Sequence, residues 1–354
     1  MVNNLYLVTP RGFCAGVEMA IKALTWMLKI YDETIYCYHE IVHNDWIVER
    51  FKTKNIEFIE SSEELPKNAI VMLSAHGTSP KTENEFNSLS SVQVNAVCPL
   101  VTKVHHEAKK FSEAGQQIIY VGHKNHDEAL GALGVAPDSM FLVEKEDDLE
   151  EINISSDNVA LLAQTTLAMS EWTPIMESAQ KKYPNLNMPR KSDLCYATTN
   201  RQEAVINVSS KVDVVLVVGS DTSSNTKALV STIKNLGKES FRVNTTEEID
   251  NLDLKDKNVA VTAGASAPDH IVQEIINKLQ PNETIYFENT NETEYFPLPK
   301  ELRSNITTIS NFLLELFPEN KVEPVRSVNK DKQWSATEAL ASLNQIKNVI
   351  HIYI

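Results

Sequence analysis

The chain has 354 residues, of which 33 are basic and 48 acidic, and its formal net charge is −15. This charge argues against tight, sequence-independent binding to nucleic acid, because such binding needs Lys and Arg to displace counterions from phosphate. Apolar residues make up 42% of the chain, but no apolar run approaches the roughly 18 to 20 residues that cross a bilayer. With no basic region before an apolar stretch at the start, we predict a cytoplasmic protein of two or three domains that binds no membrane.

The sequence alternates between strand and helix patterns, and three cysteines mark a repeat in the order of these elements. A first predicted strand covers 5–8, and Cys14, Cys98 and Cys195 are each followed directly by an amphipathic helical pattern. For the third helix we place the N-cap at Thr199, because Gln202 follows in capping-box spacing. A short apolar strand comes next in each unit, and each strand is followed by polar residues. These strands are 35–38, 118–121 and 214–218, and the polar residues are His43, His126, and Ser223, Ser224 and Asn225.

A second helix and a second strand complete each unit, again with polar residues at the carboxyl end of the strand. The second strands are 70–73, 159–163 and 259–262, and they precede His76, Thr165 and Ser266. Such alternation predicts three small parallel-sheet α/β domains, which we place at 1–97, 98–194 and 195–280. Ligands bind beyond the carboxyl ends of parallel strands, so the polar residues would share one cleft if the units surround an axis. Chance regularity is the alternative, since any α/β protein contains such units.

Three cysteines at helix N-termini are typical of a metal or cluster site, because the helix dipole and free N–H groups favour the thiolate. Three distant thiolates favour an iron–sulfur cluster with one iron free of protein thiolate, and fit a catalytic zinc less well. The sequence lacks a CxxC pair, and buried cysteine acting as a small apolar residue is the alternative. We assign Cys37, in the middle of a predicted strand, to the core.

The polar residues at the strand ends are neutral or partly protonated donors, which can hold a phosphate together with the amides of helix N-termini. A diphosphate can therefore bind despite the net charge of −15. Helix caps and solvated turns are the alternative for each residue taken alone. Glu128, two residues after His126, is a candidate proton donor whose pKa would rise on desolvation, or else an ordinary glutamate of a first helical turn.

Nine segments resemble those of the 4-hydroxy-3-methylbut-2-enyl diphosphate reductases, the IspH or LytB family. They are PRGFCAGV (10–17), HEIVHN (39–44), SAHG (74–77), CPLVTKVH (98–105), GHKNHDE (122–128), QTTL (164–167), CYATTNRQ (195–202), SSN (223–225) and TAGASAPD (262–269). The resemblance covers about residues 5 to 280, with a weaker continuation through 296–302. Motifs of this length in this order are highly specific.

The resemblance implies a trefoil of three α/β domains around one [4Fe–4S] cluster per chain, held by Cys14, Cys98 and Cys195. It implies a belt segment at 281–306 and leaves 307–354 as an extension of unknown role. The implied reaction is the last step of the non-mevalonate isoprenoid pathway. In it, (E)-4-hydroxy-3-methylbut-2-enyl diphosphate is reduced to isopentenyl and dimethylallyl diphosphate, with ferredoxin or flavodoxin as the electron donor.

Site residues also follow from the resemblance. It implies that Thr165 and Glu128 hold the substrate hydroxyl, and that Thr166 is a further substrate-binding residue. The implied diphosphate ligands are His43, His76, His126, Ser223, Ser224, Asn225 and Ser266.

The chain departs from the family pattern at two places. Asp127 stands where the family usually has proline, which affects the start of that helix or the field at Glu128. The end of the chain matches nothing familiar: an Ala-rich helical pattern covers 335–343, and an apolar, strand-like pattern covers 349–354. Packing on the trefoil, oligomerisation and docking are open roles for this extension.

Two other functions compete with the reductase. One is a quinolinate-synthase-like enzyme, whose carboxylate substrates fit the segments at 164–166 and 223–225 poorly. The other is a non-catalytic iron–sulfur sensor, which would not need Glu128 beside a phosphate site.

Overall fold

Parallel β-sheets form the framework of the protein, and the computed structural model describes residues 1–316 and 331–345. The described residues form these strands: β1 Asn4–Thr9, β2 Ile35–Tyr38, β3 Ile56–Ile59, β4 Ala69–Leu73, β5 Ser90–Asn95, β6 Gln117–Val121, β7 Met140–Val143, β8 Val159–Ala163, β9 Val214–Val218, β10 Glu239–Val243, β11 Val259–Ala263 and β12 Glu283–Glu288. All seven strands expected from the apolar runs are present, and their observed ends lie within a residue of the predicted ones.

Helices follow most strands, as in other α/β proteins. They are α1 Ala15–Ile30, α2 Asp45–Lys52, α3 Pro80–Leu89, α4 Pro99–Glu113, α5 Asp127–Leu133, α6 Asp148–Glu151, α7 Met169–Lys182, α8 Tyr196–Ser209, α9 Ser224–Asn235, α10 Asp269–Leu279, α11 Lys300–Leu316 and α12 Ala336–Ser342. The first residues of α1, α4 and α8 come directly after Cys14, Cys98 and Cys195, as predicted. Within the two described ranges, no helix combines the length and the apolar character that a membrane crossing requires.

The strands form three sheets in which every pairing is parallel, which confirms the predicted fold class of three parallel α/β units. The strand orders are β3-β2-β4-β5 in the first sheet, β7-β6-β8 in the second and β10-β9-β11-β1-β12 in the third. The strands β8, β9 and β11 are buried along their whole length, so both faces of the second and third sheets are covered at these strands.

Strand β1 belongs to the third sheet, although it lies within the range predicted for the first domain. It pairs with β11 on one side and β12 on the other, with Leu5 opposite Val259 and Thr284. Its apolar run predicts a strand but says nothing about the partner, because parallel pairing joins segments far apart in sequence. The domain boundaries at 97, 194 and 280 stay predictions.

By internal contacts the chain divides into two compact units. The first unit comprises 1–14 and 100–293, and it contains the second and third sheets. The second unit comprises 15–99 and the described residues from 294 onward, and it contains the first sheet.

Part of the C-terminal extension packs on α1, inside the second unit. The Lys22 ammonium lies 3.4 Å from Asp331 Oδ1 and donates to the Asp331 carbonyl at 3.0 Å. Both side chains are buried, so removing either one would leave the other as an unpaired buried charge, which is destabilising. The Trp26 and Trp334 rings meet edge to face, with centroids 5.8 Å apart, and add apolar contact to the ion pair.

The predicted helix at 335–343 is present as α12, with Ser335 as its N-cap and Glu338 completing a capping box. Glu18, on α1, also accepts a hydrogen bond from the Ala336 N–H at 2.6 Å. The described part of the extension therefore packs on its own chain. The strand-like pattern predicted at 349–354 lies outside the described residues.

Two segments with predicted site residues meet at Gly264 and Thr226. Gly264 directly follows β11 in the turn that carries Ser266, and Thr226 lies in the first turn of α9. A Cβ added at Gly264 would overlap the Thr226 hydroxyl oxygen and approach the Thr226 Cβ to 3.3 Å. The absence of a side chain at 264 therefore allows α9 to pack against this turn.

We expect Gly264→Ala to lower the free energy of unfolding by about 1 to 3 kcal/mol, because overpacking forces the backbone to shift. Combining it with Thr226→Ala removes the overlapping atoms, so the double variant should lose less stability than the sum of the two single changes. Denaturant unfolding of the four proteins measures this coupling. Strictly additive losses would show that the two residues do not oppose each other.

Candidate functional site

The three cysteines implied as cluster ligands occupy equivalent positions in the fold. Each donates its backbone N–H to a carbonyl two residues beyond the end of a buried strand, namely β11, β4 and β8. Each also directly precedes a helix. The pairs are Cys14 to Ala265 at 3.1 Å, Cys98 to Ala75 at 3.0 Å and Cys195 to Thr165 at 3.0 Å. The threefold pattern inferred from element order is thus present in the backbone hydrogen bonds.

Cys195 shows how the helix start prepares a sulfur ligand. Its Sγ accepts a hydrogen bond from the Thr198 N–H at 3.3 Å and lies 3.0 Å from the Thr198 hydroxyl. Cys195 is therefore the N-cap of α8, and the predicted N-cap at Thr199 is wrong. The capping-box pattern misled because the Cys195 sulfur, four residues earlier, accepts the free Thr198 N–H of this helix.

The cysteine thiols fit a group that binds soft sulfur ligands. All four cysteines are free of disulfide bonds. Burial is the largest cause that raises the pKa of the Cys195 thiol to about 11, and the nearby Cys14 thiol adds to the rise. Hydrogen bonds from Thr198 and the charge of Arg201 act in the opposite direction. Since a bound cation would replace the thiol proton, this donor set fits an iron–sulfur cluster. Cys37 is fully buried within β2, which confirms its assignment to the core, and burial raises its pKa.

The polar residues after the first strand of each unit also occupy matched positions. Each follows its strand by five residues and stands at the start of a helix. His126 and Ser223 are the N-caps of α5 and α9, whereas His43 precedes Asn44, the N-cap of α2. Capping is thus an observed role of His126 and Ser223, and phosphate binding by these residues stays a prediction.

The second strands of the three units end in matching two-residue turns. His76 and Ser266 lie three residues beyond β4 and β11, whereas the predicted Thr165 lies two residues beyond β8 and Thr166 occupies the matching third position. At the first sheet, the His76 ring stacks on the His43 ring with centroids 3.8 Å apart and planes 15° from parallel. His43 Nδ1 also lies 3.4 Å from a Glu40 carboxylate oxygen. The first sheet thereby places two predicted phosphate ligands side by side at its carboxyl edge.

Glu128 and Thr165, both in the compact unit that contains the second and third sheets, form a closely bonded pair. Glu128 is 3% exposed, and its carboxylate accepts the Thr165 N–H at 2.7 Å and the Thr165 hydroxyl at 3.0 Å. Burial raises the pKa of Glu128 to about 7, and the Asp193 charge adds to the rise, whereas both Thr165 hydrogen bonds lower it. The predicted desolvation of this carboxyl is therefore observed.

Asn225 connects two segments of the site. Its amide donates to the Thr198 hydroxyl at 3.3 Å, and its carbonyl oxygen accepts the Ala265 N–H at 3.0 Å. Thr198 bonds to the Cys195 sulfur, and Ala265 holds the Cys14 N–H. Asn225 therefore ties together the segments that carry two of the cysteines, while its predicted contact with a diphosphate stays a prediction. Ser224, the first residue of α9, is half-buried beside it.

Sequence reasoning missed an ion pair between the buried Asp193 carboxylate and the partly exposed Lys103. Lys103 donates to the Asp193 carboxylate at 3.0 Å and to the carbonyls of Lys191 at 2.9 Å and Ser192 at 3.1 Å. The other Asp193 oxygen accepts the N–H of Ala163, the last residue of β8, at 3.1 Å. Lys103 lies in the 98–105 motif, which was a usable signal, but nothing in the sequence pairs it with a position 90 residues away.

With this geometry in place, the comparison with known proteins decides the family. The family model described as LytB protein matches residues 5–280. The chain belongs to this family. It is 41% identical over 308 residues to the 4-hydroxy-3-methylbut-2-enyl diphosphate reductase of Enterobacter sp. (strain 638), covering 85% of this chain and 98% of that protein. The enzyme of the same name from Escherichia coli (strain K12 / DH10B) is 40% identical over 314 residues, covering 86% and 99%.

Solved structures give the same result. The chain resembles the E-1-hydroxy-2-methyl-but-2-enyl-4-diphosphate reductase of Plasmodium falciparum with a TM-score of 0.82 and 32% identity, over 88% of this chain and 100% of that one. A second solved structure, described as the terminal enzyme of the non-mevalonate pathway, matches with a TM-score of 0.57 and 28% identity over 79% and 99%. These findings confirm the resemblance, and they favour neither the quinolinate-synthase-like alternative nor the sensor.

The Glu128–Thr165 pair generates a prediction about proton affinity. Thr165→Val removes the hydroxyl hydrogen bond that lowers the pKa of Glu128, so this pKa should rise above about 7. NMR titration of side-chain-labelled glutamate measures the change. Thr166→Val is the matched control, because the Thr166 hydroxyl accepts from Gln164 rather than contacting Glu128. A pKa that stays in place or falls in Thr165→Val contradicts the assignment.

Proposed function

We propose that this chain reduces (E)-4-hydroxy-3-methylbut-2-enyl diphosphate to isopentenyl diphosphate and dimethylallyl diphosphate. The names of the relatives and of the two solved structures support this reaction. The observation that carries the proposal is the equivalence of Cys14, Cys98 and Cys195, each bonded to the carbonyl two residues beyond a strand. A binding protein without redox chemistry has no need of three such thiols.

The proposal includes one [4Fe–4S] cluster per chain, held by the same three cysteines. When bound, such a cluster supplies single electrons and, at the iron without a protein thiolate, Lewis acidity. The chain supplies sulfur ligands at helix starts, where N–H groups such as that of Thr198 stabilise negative charge on the sulfur.

Substrate binding is assigned to the residues at the strand ends. Because the protein carries a net charge of −15, a diphosphate needs local donors rather than a general attraction. The donors proposed for the diphosphate are His43, His76, His126, Ser223, Ser224, Asn225 and Ser266, with Thr166 as a further contact. Amides at the N-termini of α2, α5 and α9 add to them.

Glu128 is the proposed proton donor for the leaving hydroxyl. Hydroxide is a poor leaving group, so the carbon–oxygen bond breaks readily only if a proton reaches that oxygen and water departs. With its pKa raised to about 7 by burial, Glu128 keeps its proton up to neutral pH, and Thr165 fixes the orientation of its carboxyl. Two electrons and a second proton, delivered to carbon, complete the reaction.

Electrons are proposed to come from ferredoxin or flavodoxin. The domain ranges 1–97, 98–194 and 195–280, the belt segment 281–306 and the cytoplasmic location are retained as predictions of the same proposal.

Replacing each cysteine by serine tests the cluster. Serine at 14, 98 or 195 should abolish the brown chromophore or leave substoichiometric iron, because it removes a soft thiolate ligand. Cys37→Ser is the matched control and should keep full iron, since Cys37 lies inside β2. Iron content and the visible spectrum are measured after anaerobic purification. Equal iron loss in Cys37→Ser would show that the ligand assignment is wrong.

Replacing Glu128 by glutamine tests the reaction. The variant should keep its iron and bind substrate with near-normal affinity, while kcat with a reduced dye falls by about two orders of magnitude or more. The wild-type kcat should itself fall as pH rises through about 7, because Glu128 then loses the proton it donates. Asp127→Asn, at the adjacent residue, is the control for a local change of charge. Wild-type kcat in Glu128→Gln would remove Glu128 from the mechanism.

A further inference from the structure

Arg201, on α8, is 1% exposed, and no charged side chain among the described residues is more deeply buried. Burying a charge is costly unless it is paired and hydrogen-bonded, so such a residue needs partners for its charge. Its partner is Glu292: one guanidinium nitrogen, Nη1, donates to the two Glu292 carboxylate oxygens at 2.8 and 3.1 Å. The prediction of site residues from the sequence did not include either of them.

The remaining hydrogen bonds of Arg201 go to backbone carbonyls near Cys14 and Cys195, both of which lie in the compact unit formed by 1–14 and 100–293. Nη2 donates to the Gly12 carbonyl at 2.8 Å, and Nη1 also donates to the Ala197 carbonyl at 3.0 Å. Gly12 comes two residues before Cys14, and Ala197 comes two residues after Cys195. One guanidinium therefore connects the segments that present both thiols.

Each segment is also fixed on its other side. The Cys14 N–H donates to the Ala265 carbonyl, so the backbone from Gly12 to Cys14 is held at both ends. At Cys195, the sulfur accepts the Thr198 N–H. Without the guanidinium, the Gly12 carbonyl would lose its hydrogen bond, and the two segments would keep only the connection through Asn225.

The Arg201–Glu292 pair also sets the local charge. A cluster becomes more negative on reduction, so a nearby positive charge raises its reduction potential and a nearby negative charge lowers it. Glu292 is 14% exposed and balances Arg201 in the intact protein. Removing either partner alone therefore leaves a net charge, and the sign of that charge depends on which partner is removed.

We propose that Arg201 and Glu292 are positioning residues for the iron–sulfur cluster, which set the placement of Cys14 and Cys195 and tune the reduction potential. This inference rests on the proposed function only in requiring that the three cysteines hold the cluster. Partners of metal ligands typically change metal affinity by about 10- to 100-fold when they are removed.

The experiment compares full-length variants purified anaerobically with their cluster. Iron release to a ferrous chelator measures retention, and redox titration followed by electron paramagnetic resonance measures the potential. Arg201→Met should weaken iron retention by about 10- to 100-fold and lower the potential. Glu292→Gln should raise the potential. Arg201→Lys keeps the charge but not the planar set of donors, so retention should fall while the potential stays near the wild-type value.

Arg242→Met is the matched control for retention and potential. Arg242 also donates to a glycine carbonyl, that of Gly219, and pairs with Glu248, but it does not contact either cysteine segment. Equal iron release from Arg201→Met and Arg242→Met overturns the proposal, as do potential shifts of the same sign in Arg201→Met and Glu292→Gln. If Arg201→Met does not fold, the other two variants replace it as the test. In that case the proposal is overturned if Arg201→Lys retains iron as well as the wild-type protein, or if the reduction potential is unchanged in Glu292→Gln.

The outcome for the wild-type protein separates the two proposals. A wild-type protein that holds no cluster counts against the proposed function. A wild-type protein with its full cluster, and variants that match the control, counts against the role of Arg201 and Glu292 alone.

Discussion

The hydrogen bond from each cysteine N–H to the carbonyl two residues beyond a buried strand is the constraint on which the site depends. The strands β4 and β11 are paired on both sides within their sheets, and the edge strand β8 is paired with β6 and buried along its whole length, so their carboxyl ends are well-fixed points of the chain. A cysteine whose N–H is hydrogen-bonded to such a point is held in a fixed position. The helix that starts at the next residue then directs N–H groups towards the sulfur, as Thr198 does at Cys195.

Charge is the second constraint. The chain has a net charge of −15, and it is proposed to bind an anionic substrate and to hold an anionic cluster. Two cations near the cysteine segments are each paired with a carboxylate. Lys103 pairs with Asp193, and Arg201 pairs with Glu292. Each cation also holds backbone carbonyls on the segments around Cys195, so the same side chains provide order and local charge.

Glu128 illustrates how the fold gives one carboxyl a distinct property. The chain has 48 acidic residues, and most are exposed at the surface, where water stabilises the ionised form. Glu128 is buried, with two hydrogen bonds from Thr165 that only partly offset the cost of removing water. The balance raises the pKa of this carboxyl to about 7, so part of the population carries the proton at neutral pH that a proton donor for C–O cleavage requires.

The sequence alone determined the elements and the residue types. Apolar runs of β-branched residues such as 214–218 predicted the strands, and the positions of Cys14, Cys98 and Cys195 before helices predicted the threefold pattern, because both are local properties of the chain. Tertiary structure decided the rest. The pairing of β1 with the third sheet, the sulfur N-cap at Cys195 and the buried pair of Arg201 with Glu292 join segments distant in sequence, or depend on burial. Local patterns predicted the burial of apolar strand residues such as Cys37, but they do not show which distant segments meet or that Arg201 is buried, since both arise only when the chain packs.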